Sequence, residues 1–369
     1  MKIKFTRAKS FLLLIIGIIL ATSFKSADPI ILVDEQMPFK PNSYYIAGVT
    51  DERANKSAIA HLIIKSPANQ ATVQLLDFQG GVQNAISGFV ERNLPKNKTL
   101  RPVNISIKEF KLSETLLPNG NTEGRIKLHL SFGSEKDYGT EHLVDYDGGL
   151  NYIRNGNNYI TVVEPCIRKA LKASLVYFND WIKSNALANH KLAKGVKFSF
   201  TNYTESPEGD TIYYSSNRPI KWNDFQSRYK PPMAANATVM PGFGYEIQQE
   251  VVNGIINVNA QLKVYLPKSA CWADSYGRDA YALNHEQRHF DITKIIAEQF
   301  KNKLLDKNLT PDNYEAFIVM QYLDSYRDMH AMQTSYDKET NHSRTQIAQQ
   351  EWDNRIDKEL KKFSVINSF

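Results

Sequence analysis

Ala282-Leu283-Asn284-His285-Glu286-Gln287-Arg288-His289-Phe290-Asp291-Ile292 sets two imidazoles four residues apart with a carboxylate between them. Each helical residue advances the chain by about 100°, so His285 and His289 share a face and can reach one ion at about 2.0–2.1 Å. Glu286 lies beside them, placed to act on water. The same face continues through Ile292, Ile296 and Phe300, so the spacing predicts a helix from about Arg278 to Leu305 whose ligand side is also its buried side.

His285-Glu286-Gln287-Arg288-His289 is the HExxH pattern of zinc peptidases. A shuffled chain with these eight histidines and 39 acids would hold even the looser H-[DE]-x-x-H pattern only roughly one time in fifty. Structural zinc favours closed, cysteine-rich sets, and the two cysteines, Cys166 and Cys271, lie far from one another in sequence. The motif therefore points to catalytic Zn2+, which needs a third protein ligand and an open position. Asp291 follows His289 by two residues, about 200° around the helix, and reads as a surface carboxylate or an acceptor elsewhere. The segment 337–342 offers Asp337, Glu339 and His342 instead, and His342 is favoured because its second nitrogen leaves room for an orienting hydrogen bond. His330 is a weaker candidate. Tyr336 is either a donor to a tetrahedral oxyanion or a core tyrosine.

Upstream of this helix, Ile256, Val258, Ala260, Leu262 and Val264 alternate with polar residues, and Pro267 ends the best strand in the sequence. Phe243-Gly244-Tyr245-Glu246-Ile247 precedes it as a second β-prone run. Downstream, Pro311 suits the first turn of another helix. Ser343 and Gln346 have capping-box spacing ahead of a closing helix striped by Ala348, Trp352, Ile356 and Leu360.

The polar run Thr204-Glu205-Ser206-Pro207-Glu208-Gly209-Asp210 reads as a linker, dividing residues 28–205 from residues 206–369. The first part mixes strands at 44–49, 71–76, 103–107 and 126–132 with a helix at 82–90 and another opening at Glu164-Pro165. Its histidines, His61, His129, His142 and His190, show no ligand spacing.

Lys2, Lys4, Arg7 and Lys9 precede the apolar run 11–20, and Ala21-Thr22-Ser23 follows with small residues. Residues 1–23 read as a secretory signal peptide, with Ser26-Ala27 as a second possible cut. Removing those four cations takes the net charge from +6 to +2, so charge argues against a nucleic-acid partner. The mature chain is expected in the periplasm or outside the cell, without membrane insertion. Export also raises a Cys166–Cys271 disulfide as an alternative to two buried thiols.

Trp222-Asn223-Asp224-Phe225, Ser269-Ala270-Cys271-Trp272, Leu283-Asn284-His285-Glu286-Gln287-Arg288-His289-Phe290-Asp291-Ile292, Tyr336-Asp337, Glu339-Thr340, His342 and Trp352 together resemble a group of predicted secreted bacterial zinc-dependent proteases. That group is a domain family of unknown function with an HEQxHFDI motif, and the resemblance spans about 210–363. It implies zinc on His285 and His289, Glu286 as catalytic base, and the 336–342 block near the site. Ser343 stands where glycine is expected, and Arg288 where a smaller residue is expected.

The expectation is a two-domain α+β protein: an N-terminal mixed α/β-sheet domain and a C-terminal zincin-like domain of antiparallel strands, an HExxH helix and further helices. The expected activity is hydrolysis of a peptide or protein substrate. The alternative is an exported, non-catalytic binding protein that retains a zinc scaffold.

Overall fold

The computed structural model describes residues 26–65, 70–205, 207–229 and 236–366; the expected signal segment lies outside them. The chain is a mixed α+β protein dividing into two compact units, up to Lys183 and from Ser184.

The first unit holds β1 (Tyr44–Asp51), β2 (Ala60–Lys65), β3 (Ala71–Leu76), α1 (Gly81–Asn93), β4 (Arg101–Leu116), β5 (Thr122–Lys136), β6 (Gly139–Arg154) and α2 (Ile160–Asn185). The sheet order is β3-β2-β4-β5-β6, with β1 running parallel to β4. Ile126, Leu128, Leu130 and Phe132 of β5 are buried on one face, as their alternation requires. Phe178 of α2 stacks on Phe132 at 4.3 Å, and α1 buries Val82, Ile86 and Phe89.

The second helix starts earlier than expected. It begins at Ile160, so Pro165 lies inside it, where the sequence reading made Glu164-Pro165 the opening. Hydrogen bonds from the Val162 and Val163 amides to the Tyr159 carbonyl fix the earlier start.

The second unit holds β7 (Gly195–Asn202), β8 (Thr211–Tyr213), β9 (Ala237–Thr238), β10 (Gly242–Val252), β11 (Ile255–Pro267), β12 (Trp272–Ala273), α3 (Ala280–Leu305), α4 (Tyr314–Thr340) and α5 (Gln346–Ile366). β10 and β11 form an antiparallel hairpin through Asn253-Gly254, both left-handed at φ 54° and 75°. β7 lies parallel to β11 from Gly195↔Ile255 to Asn202↔Leu262. Residues 195–202, placed ahead of the linker from sequence, thus belong to the second unit's sheet. Ladder pairing outweighs the polar composition of the segment that follows.

α3 is central to this unit. Phe290, Ile296, Phe300 and Leu304 pack in one cluster with Phe243, Ile256, Val258, Leu262 and Val264 from the sheet. Ile292 and Ile295 form another with Tyr336, Trp352 and Ile356 from α4 and α5. A helix covered on two sides buries more than one stripe, which the single face read from sequence did not show.

Two more local expectations change. α4 begins at Tyr314, leaving Pro311 in the preceding turn, and runs through Tyr336 and Asp337 to Thr340. α5 begins at Gln346, with the Gln349 amide donating to the Thr345 carbonyl, so Ser343 makes no capping box. Cys166 and Cys271 are free thiols.

Candidate metal centre

Asp279 caps α3, its carboxylate accepting the Ala282 amide at 2.7 Å, and fixes the start of the helix six residues before His285. His285 and His289 then share a face, with ring centroids 5.0 Å apart. α4 packs against α3 and brings Asp337 to them. Asp337 Oδ1 lies 3.2 Å from His285 Nε2 and 3.0 Å from His289 Nε2. Ligands arranged tetrahedrally about a zinc ion at about 2.1 Å stand about 3.4 Å from one another, close to this spacing. Among the described residues, His285, His289 and Asp337 form a group that could hold a metal ion.

The partners of the outer nitrogens fix what the inner ones offer. His285 Nδ1 meets Gln349 Oε1 at 2.9 Å, and His289 Nδ1 meets Gln333 Oε1. Both amide orientations are chemically forced. Gln349 Nε2 donates to Asp353 Oδ1 at 2.9 Å and to the Tyr336 hydroxyl at 2.6 Å, while Gln333 Nε2 donates to the His289 carbonyl at 3.0 Å and Thr293 Oγ1 at 3.1 Å. An amide oxygen only accepts, so each imidazole spends its proton at Nδ1 and turns a lone pair inward from Nε2. Two such lone pairs and a carboxylate oxygen therefore converge without a proton between them, an arrangement suited to a cation.

Burial pushes the Asp337 carboxyl up, but where His285 and His289 carry a second proton on Nε2, their hydrogen bonds and charges outweigh it and hold the carboxyl well below the usual carboxylate range; a bound cation would take the place of those protons. The opposite holds for Glu286, where burial lifts the carboxyl above its usual range against the pull of His289 and His285. The Val239 backbone amide donates to Glu286. Both Glu286 and the His285, His289 and Asp337 cluster line a cavity of about 500 Å³, which the segment 236–242 also lines.

His342 lines this cavity too, but not as part of the cluster. Its Nδ1 lies 3.5 Å from Asp337 Oδ1, and the group that could hold a metal ion contains Asp337 and not His342. His330 lines the cavity on α4, two turns before Asp337, also outside the cluster. Glu339 accepts the Trp352 indole N–H at 2.8 Å.

Tyr336 is fully buried and is absent from the cavity wall. Its ring stacks on His285 at 4.7 Å and its hydroxyl donates to the His285 carbonyl at 3.3 Å, so it holds the helix that bears the ligands. Asp291 points away from the cluster as expected but is only 3 % exposed. It accepts from the Tyr214 hydroxyl at 2.9 Å, Gln287 Nε2 at 2.8 Å and Arg288 Nη1 at 3.0 Å. Arg288 also reaches Asp353 at 3.1 Å and Asp357 at 2.7 Å, which ties α3 to α5 and accounts for the large cation at this position.

The sequence reading missed Gln333 and Gln349 altogether. Gln333 and Asp337 are four residues apart on α4, a one-face signal that is visible once that helix is extended to Thr340.

No family model matches the chain, and no curated protein does, so the resemblance to predicted secreted proteases rests on its own residues. Among solved structures, similarity is found to protein XCC0632 from Xanthomonas campestris, of the family DUF330, at 10% identity and TM-score 0.28, over 43% of this chain and 98% of that one. A minor lipoprotein from Acinetobacter baumannii is similar at 15% identity and TM-score 0.19, over 25% of this chain and 72% of that one. Scores this low carry no argument about the site. No helix among the described residues is long and apolar enough to cross a membrane.

Proposed function

We propose that this chain is an exported zinc-dependent metallopeptidase with a zincin-like second unit, in which His285, His289 and Asp337 hold the metal. The observation that carries the reading is the convergence of two Nε2 lone pairs and the Asp337 carboxylate beside Glu286 in an accessible cavity. Two imidazoles and one carboxylate are a donor set found at catalytic zinc, with a fourth position left open. Zinc, when bound there, lowers the pKa of water from about 15.7 towards about 7 and polarises a carbonyl.

The chain's own residues do the rest. Glu286 takes a proton from the attacking water as its oxygen bonds to the scissile carbonyl carbon. The C–N bond then breaks and Glu286 passes that proton to the departing nitrogen, leaving a carboxylic acid and an amine. Its raised pKa suits a group that must both accept and release a proton. Gln333 and Gln349 keep both imidazoles in the tautomer that presents Nε2. The signal-like segment 1–23 supports export.

The test is Glu286→Gln in the full mature chain, assayed on a mixed peptide pool. Zinc content should stay stoichiometric while turnover falls by about 10²-fold or more. Undiminished cleavage would end this mechanism, and stoichiometric zinc with no hydrolysis by the unaltered chain would favour a binding protein on a metal scaffold.

A further inference from the structure

We propose that His342 is a catalytic residue that donates a hydrogen bond to the scissile carbonyl oxygen as charge develops on it, rather than a metal ligand. The proposal rests on the metallopeptidase reading above. Its first support is backbone geometry. Between α4 and α5 the chain passes through Asn341, His342 and Ser343 at φ 48°, 50° and 65°. Three successive non-glycine residues in the left-handed region are disfavoured by the approach of Cβ to the backbone. Such a conformation persists only where its surroundings over-determine it, and these concentrate at functional sites.

The surroundings are visible. The His342 amide donates to the Asp337 carbonyl at 2.9 Å and the Thr345 amide to the Thr340 carbonyl at 2.9 Å, closing the turn from both sides. The result places the His342 imidazole on the cavity wall next to the ligand cluster. A glycine at any of these positions would make the same turn with less strain. At 342 it would leave no side chain there.

The second support is the imidazole's position. Its Nδ1 is 3.5 Å from Asp337 Oδ1, yet it is not among the ligand atoms that lie within 4.8 Å of one another. It borders the cluster without joining it. The His342 side chain is 43 % exposed, against 5 % for His285 and 11 % for His289, so it opens into the cavity while the ligand imidazoles are enclosed. At 3.5 Å from Asp337 Oδ1, Nδ1 is too far for a hydrogen bond, so the imidazole can carry its proton on Nε2, the nitrogen that can donate to a bound substrate. Glu286 is committed to the water proton and Tyr336 to the His285 carbonyl, so neither supplies this hydrogen bond.

A donor aimed at developing oxyanion charge acts on the transition state and leaves ground-state binding nearly unchanged. The experiment compares the unaltered mature chain with His342→Ala and His342→Gln. It measures zinc per chain, kcat and KM on a peptide substrate, and affinity for a phosphinic peptide, which mimics the tetrahedral anion. Both variants should keep stoichiometric zinc and a KM within a few-fold. For His342→Ala, kcat and phosphinic-peptide affinity should fall together by about 10²-fold. His342→Gln, which keeps an N–H donor, should recover part of both.

Loss of zinc from a variant with an unchanged thermal transition would make His342 a ligand and overturn the proposal. Unchanged kcat and phosphinic-peptide affinity in both variants would overturn it as well. Failure of the parent reading is distinguishable, since the unaltered chain would then not cleave, whether or not it binds zinc.

Discussion

Gln333 grips His289 at two points: its side-chain oxygen accepts the Nδ1 proton, and its Nε2 donates to the His289 carbonyl at 3.0 Å. One amide thus locks the imidazole's tautomer and joins it to the backbone of its own helix. Gln333→Leu keeps the bulk and removes both bonds. Zinc affinity, measured by chelator competition, should fall about 10- to 100-fold. Unchanged affinity would show that packing alone orients the ring.

Ser343 is held at φ 65°. Such a conformation costs a non-glycine residue about 1–2 kcal/mol, partly offset in the Ser343→Gly chain by the greater freedom of glycine when unfolded. The substitution should stabilise the second unit by about 1 kcal/mol and raise its thermal midpoint by about 2–4 °C. A lower midpoint would mean that the serine side chain contributes more than its backbone costs. This strain also accounts for the glycine expected at this position by resemblance.

In the first unit, Glu114 and Arg154 form an ion pair at 2.6 Å with side chains 0 % and 1 % exposed. The pair is well supplied with further bonds: Glu114 accepts the Ile63 amide at 2.8 Å and the Tyr152 hydroxyl at 2.8 Å, and Arg154 donates to the Ile63 carbonyl at 2.6 Å. Glu114→Leu strands a buried guanidinium and should cost about 3–5 kcal/mol in denaturant unfolding. Adding Arg154→Met should recover much of that loss. If the double variant is as unstable as the single, the hydrogen bonds matter more than the stranded charge.

Cys166 and Cys271 are free, and burial pushes the Cys271 thiol up to about 12. Little thiolate exists at neutral pH, so Cys271 should react with a thiol reagent only after unfolding. The denatured, unreduced chain should then titrate two thiols. Fewer than two would restore the disulfide that export suggested.

What was legible from sequence is local and periodic. The alternation at 256–264 became β11, the face shared by His285 and His289 became the side of α3 that meets Asp337, and Trp352 and Ile356 became buried positions of α5. Each is set by the 2.0- and 3.6-residue periods of the backbone itself. Elements with weaker patterns escaped: β6 holds Gly148-Gly149, and α4 has apolar residues without a strong stripe. Helix ends were also misplaced, because local backbone hydrogen bonds to the Tyr159 and Thr345 carbonyls set them, away from the terminus signals of Pro165 and Ser343.

The sequence by itself determined that two imidazoles and a carboxylate would share one helix, since their spacing matches one turn. Tertiary structure decided the rest of the centre. Asp337 lies 48 residues beyond His289, and its place in the cluster depends on how α4 packs on α3. A histidine at 342 looked the better ligand on chemistry alone; a run of left-handed residues sets it at the cavity wall, while the carboxylate of α4 lies within hydrogen-bond distance of both imidazoles. The physical reason is range: backbone periodicity fixes neighbours a turn apart, while ligands from different helices meet only where packing brings them together.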